Sequence, residues 1–170
     1  MTYGEAKERV LQLMDELQPK ADLQGKLPSF FDMGQKEVAK YYPIWRKKVY
    51  GPDDERVLPE DCWEPMFVVS YGVMEHWDPL GQFEELGDSF TLHYKAWPAT
   101  ITENTGDSTE LDTPEEAMLA VLYFVAAKSQ EMEYDQRFFS NFFAEYQGQL
   151  SNLSDRAQGV AVVQPPEVVI

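Results

Sequence analysis

A chain of 170 residues, 44% hydrophobic and 14% aromatic, has enough apolar mass for one folded domain and is too apolar to be disordered over most of its length. Thirty acidic residues against 14 basic ones give a net charge of −16, which disfavours phosphate backbones and anionic membranes as partners. The single cysteine, Cys62, excludes an intrachain disulfide, and no apolar run approaches the ~20 residues of a membrane span.

The first residues, MTYGEAKERV, carry no apolar segment of a secretory signal, so the chain is expected to fold in the cytoplasm. A first helix is predicted over about 3–17. Thr2 and Glu5 form a capping box, each side chain satisfying the other's backbone amide. Ala6, Val10, Leu13, Met14 and Leu17 make its apolar stripe, and Pro19 stops it. A second helix opens between Asp22 and Pro28. Its regular part is predicted over 28–42, because proline lacks an amide hydrogen and suits a first helical position. Phe30, Phe31, Gly34, Val38, Tyr41 and Tyr42 form its apolar face, and Gly34 leaves room for another helix to approach.

The middle of the chain reads as β structure. Ile44 to Tyr50 is a strand, and Gly51 to Asp54 a turn. Leu58 to Trp63 reads as a short helical turn, and Phe67 to Tyr71 as a strand of aromatic and β-branched residues. Met74 to Gly87 shows no clear pattern. From Phe90 to Ala96 apolar and polar residues alternate, as in a half-buried strand. Thr100 to Thr102 leads into a polar loop.

A third helix is predicted over 114–130, opened by Thr113 as cap, Pro114, and the acidic pair Glu115 and Glu116. Ala117, Ala120, Val121, Phe124 and Ala127 make its buried face. A fourth helix is predicted over 134–150, with Tyr134, Phe138, Phe142, Tyr146 and Leu150 on one face and Phe139 and Phe143 beside them. Residues 1–153 thus read as a single α+β domain. It is a bundle of about four helices with a β-rich insertion, about 44–105, between helices two and three. Residues 154–170 differ in kind. Pro165-Pro166 blocks helix, and two apolar β-prone patches flank it, so an extended C-terminal arm is expected.

Chemistry-bearing patterns are sparse. For His76 and His93 the sequence shows no nucleophile or second acid held within hydrogen-bond reach, as catalysis would need. The acidic pairs Asp53/Asp54, Glu60/Asp61, Glu84/Glu85 and Glu115/Glu116 arise from composition. The glycines are scattered, and Asp107 to Asp112 lacks the spacing of a calcium loop. No catalytic group, cofactor or metal is expected. The contact candidates are the basic strip Arg46, Lys47 and Lys48, and the arm residues Val160, Val162, Val163, Val168, Val169 and Ile170. The arm suits strand addition to a neighbour. Strand alternation puts Arg46 and Lys48 on one face, and Trp45 and Lys47 on the other. An alternative class of function is a small acidic ligand- or carbohydrate-binding domain, with Trp63, Trp77 and Trp97 lining a pocket.

Three segments carry a family likeness. They are KADLQGKLPSFFDMGQKEVAKYY within Ala6 to Tyr42, LPEDCWE at Leu58 to Glu64, and YKAWPATITENTGDSTELDTPEEAMLAVLYFVAAKSQEMEY from Tyr94. Together they span most of residues 1–150, and they resemble the head-to-tail adaptor proteins of tailed phages and prophages. Trp97 stands where that family more often has tyrosine. The resemblance implies a structural virion protein without enzymatic activity or cofactor. It implies rings beneath the portal, with other copies of itself and portal or tail proteins as partners. It also implies a chain that is monomeric in isolation, present in the host cytoplasm during assembly and in the virion neck afterwards. Another tail-associated assembly role is the nearest alternative.

Overall fold

The computed structural model describes residues 1–16, 18–77, 86–132 and 136–157. Leu17, Tyr134 and the arm residues Val160, Val162, Val163, Val168, Val169 and Ile170 lie outside them. The elements run α1 (Tyr3–Leu13), α2 (Ala21–Ala39), β1 (Ile44–Tyr50), β2 (Cys62–Ser70), β3 (Val73–His76), β4 (Phe90–Ala96), α3 (Glu115–Met132) and α4 (Gln136–Ala157). The fold is α+β, with a four-stranded antiparallel sheet inserted between α2 and α3.

Both halves of the Thr2/Glu5 capping box form at the start of α1. The helix ends at Leu13, short of 17. The stop is Asp15, at φ 55°, where the amides of Asp15 and Glu16 turn back to the carbonyls of Gln12 and Leu11. That is a Schellman closure with aspartate in the left-handed position usually held by glycine. Helix α2 begins at Ala21, and Pro28 lies inside it rather than at its start. The ring removes one intrahelical hydrogen bond. Packing outweighs the loss, because Leu23, Leu27 and Phe31 bury one turn apart along the same stripe. The helix closes at Ala39, so Tyr41 and Tyr42 belong to the turn before Pro43, and Tyr41 is exposed.

Helix α3 is the centre of the helical layer and packs against α1, α2 and α4. The expected stripe is too narrow. Met118, Leu122, Val125 and Ala126 are buried as well, as a helix covered on several sides requires. It packs tightly on α2 at Gly34, where an added Cβ would lie 3.0 Å from Phe124 and 3.4 Å from Val121. Thr113, read as a cap, is buried and donates its hydroxyl to Gln35 Oε1. Helix α4 continues past 150 to Ala157 because Leu153 still buries against the core. Its inner face is Phe142, Tyr146, Leu150 and Leu153, whereas Phe138 is exposed.

In the sheet, the strand order is β1-β4-β2-β3. β1 and β4 have the expected limits, 44–50 and 90–96. Ile44, Tyr50, Val68, Phe90, Leu92, Tyr94 and Ala96 form a second apolar cluster, separate from that of the helices. β2 starts earlier than expected. The turn at Pro59 closes by Cys62, which already pairs with Ala96. β3 falls in the stretch that showed no pattern. Tyr71 and Gly72, at φ 50° and 78°, make a two-residue hairpin between Ser70 and Val73, of the kind that matches strand twist.

Candidate interaction surface

Alternation along β1 splits the basic strip. Arg46 turns toward the junction between sheet and helices, where its guanidinium contacts Asp61 at 2.6 Å and Asp112 at 2.9 Å. Burial works against this charge, but the hydrogen bond and charge of Asp61 and the charge of Asp112 outweigh it and hold the Arg46 pKa above its ordinary value. Lys48 lies over the Tyr50 ring, 4.6 Å from its centre. Lys47 projects from the other face, between Trp45 and Val49, which are 55% and 66% exposed. Among the described residues Lys47 makes no ion pair.

Behind Lys47 in the cross-strand row stand His93 and then Phe67, whose rings stack at 4.5 Å. Burial lowers the His93 pKa, and the charge of Lys47 lowers it further. The next row joins Trp45, Lys95 and Glu64, with Lys95 and Glu64 ion-paired at 2.6 Å. The outer sheet face is therefore mixed aromatic and cationic, on a chain of net charge −16.

The junction is polar. Tyr94 donates its hydroxyl to Asp61, and burial with the Asp61 charge pushes its pKa up to about 12. Asp112 accepts the amide of Ala99, Asp32 that of Ile101, and Gln35 donates to the Ala99 carbonyl. A cleft of about 550 Å³ opens here, bordered by Lys36, Arg46, Glu60, Asp61 and Trp97. Its cations are engaged, Arg46 as above and Lys36 with Asp32 at 2.8 Å. Cys62, nearby in β2, has its thiol pKa raised by burial and by Asp61, which suppresses the thiolate. Among the described residues, no group of three or more His, Cys, Asp or Glu side chains gathers as a metal site would require. Also among them, no helix is long and apolar enough to cross a membrane.

The three tryptophans do not share one pocket. Trp63 and Trp97 stack at 4.9 Å, with Lys95 over Trp63, while Trp77 packs against the sheet's apolar cluster. A second exposed feature escaped the sequence. Met33 and Tyr41 are 44% and 47% exposed, with Glu37 between them on α2. Periodicity had placed Tyr41 on the buried face. The signal that corrects it is Pro43, which ends the helix early enough to turn Tyr41 outward. No known family model matches this chain, and no curated protein matches it.

Proposed function

We propose that this chain is a non-enzymatic structural protein of a phage or prophage virion, a head-tail adaptor that assembles as a ring under the portal. The observation that carries the reading is the set of large apolar side chains left open on both halves of the molecule. Trp45, Val49, Val73 and Met74 lie on the sheet, Met33 on α2 and Tyr41 in the turn after it. Trp45 and Val49 stand open on one face of β1, and apolar side chains left open together in this way suit contact with another macromolecule. The likeness of three segments to phage adaptors supplies the identity of those partners: further copies of the chain, and portal or tail proteins. The acidic balance suits a ring through which DNA passes without adhering. The protein is then found in the host cytoplasm during assembly and in the virion neck afterwards. The arm carrying Val160, Val162, Val163, Val168, Val169 and Ile170 adds a further contact.

Light scattering tests this, on the pure protein and on its mixture with the portal protein encoded nearest to it. The expected result is a monomer that becomes a defined ring on the portal. A chain that ignores the portal overturns the adaptor reading in favour of another tail-associated assembly role. The stacked Trp63–Trp97 pair is the one feature that favours carbohydrate binding. Quenching of tryptophan fluorescence by added sugars would establish it.

A further inference from the structure

We propose that the outer face of β1 seats on the Met33–Glu37–Tyr41 ridge of a second copy of this chain. The choice of another copy as occupant rests on the assembly reading above. Trp45, Lys47 and Val49 alternate along the strand, so their side chains stand ~6.6 Å apart, an apolar–base–apolar row. Met33 and Glu37 are one helical turn apart on α2, ~6 Å, and Tyr41 follows Glu37 at a similar step in the turn that closes the helix onto the Val38 carbonyl, an apolar–acid–apolar row. The two rows match in spacing and are opposite in charge.

Lys47 stands between two open apolar side chains, Trp45 and Val49, on the exposed face of β1. Lys7, Lys26, Lys36, Lys40, Arg46, Lys95 and Lys128 all meet a carboxylate within their own chain. Lys47, like Arg9, Lys48 and Arg56, meets none among the described residues; Lys48 and Arg56 lie instead over the rings of Tyr50 and Phe90. An edge-strand lysine also guards against unwanted strand pairing. That role does not explain why a tryptophan and a valine stay open on either side of it. Glu37 pairs with Lys40 at 2.6 Å, but both side chains are over 40% exposed. Such a surface pair gives way readily to a partner that also covers apolar area.

The test is a disulfide trap at the centre of both rows, so that the direction of docking does not matter. Lys47→Cys and Glu37→Cys chains are made separately, distinguished by a mass tag, mixed and mildly oxidised, with the unaltered protein controlling for Cys62. The mixed dimer is expected to exceed either homodimer roughly tenfold, the ratio that 1.4 kcal/mol of preference gives. Mixed dimer at no more than about twice either homodimer, the ratio random pairing of equal populations gives, overturns the contact. The trap needs no portal protein. Rings on the portal without a mixed cross-link sink this contact and leave the assembly reading intact. A mixed cross-link in a chain that ignores the portal does the reverse.

Discussion

Arg46 reaches out of the sheet to Asp112, 2.9 Å away in the segment that leads into α3. The sheet and the helices have separate apolar clusters. Their relative placement therefore leans on polar links: Arg46 to Asp61 and Asp112, Ala99 to Asp112, and Gln35 to Ala99 and Thr113. Arg46 is the only one of the three strip residues committed to both halves.

Replacing Arg46 by alanine leaves two carboxylates, each about 30% exposed, without their cation. Breaking a buried pair costs more than breaking a surface one, so this partly screened site is expected to lose roughly 1–2 kcal/mol. Urea unfolding measures it. Tryptophan fluorescence, which reports the sheet and junction, is expected to change before the helical circular dichroism. Coincident transitions of unchanged midpoint would contradict the role. Arg46→Lys is not expected to restore the loss, because an ammonium lacks the fork that reaches two carboxylates.

Gly34→Val pushes methyl groups into Phe124 and Val121, which already lie 3.0 and 3.4 Å from an added Cβ. Overpacking of this kind costs roughly 1–3 kcal/mol. Gly34→Ala meets the same neighbours with less bulk and gains roughly 1 kcal/mol of helix propensity, so it is expected to be much milder. Thermal melts of the two variants rank them. Equal melting temperatures would mean that the helices separate freely here.

Tyr50 is fully buried, and its hydroxyl donates to the Val57 carbonyl at 2.6 Å. Tyr50→Phe keeps the ring, which stacks on Phe90 at 4.7 Å, and removes that bond. The expected cost is roughly 1 kcal/mol, with amide exchange speeding up in the 51–57 loop. An unchanged urea midpoint would show that water replaces the hydroxyl without penalty.

His93 has a folded-state pKa below its ordinary value, through burial first and Lys47 second. The folded protein then binds this proton less readily than the unfolded chain, so His93 adds no penalty at neutral pH. It destabilises the fold as pH falls through about 6.5, the unfolded value. The penalty is complete below the folded value. Following the imidazole resonances by NMR checks this, and Lys47→Gln is expected to move the His93 midpoint upward. No movement would place Lys47 too far away to matter.

Legibility varied with the kind of signal. Strands β1 and β4 have one buried and one open face, so their alternation carries both their limits and the split of Arg46 and Lys48 from Lys47. The α2 start was hidden because Pro28 normally marks a first turn, and only tertiary burial of Leu23 and Leu27 carries the helix through it. The α1 end and the β2–β3 hairpin were hidden for a shared reason. Asp15 and Tyr71 both adopt positive φ, a conformation composition assigns to glycine or asparagine. Helix α3 announced its start but not its surroundings. A helix covered on several sides shows little contrast between faces, and two of its neighbours, α1 and α2, are separated from it in the sequence by the sheet. The exposed ridge on α2 depended on where that helix stops, which is the boundary sequence patterns locate worst.

Ile44 and Ala96, the first residue of β1 and the last of β4, are direct partners in the ladder. The whole β lobe therefore leaves the helical layer and returns to it at neighbouring points. Deleting 44–96 and bridging Pro43 to Trp97 with a short turn asks α2 and α3 to move little. The lobe thus hangs from the helical layer by one pair of adjoining strand ends, which is the geometry an exchangeable cassette needs. Its loops can lengthen, or a different sheet can take its place, while the helical framework that receives it keeps the same address for both ends.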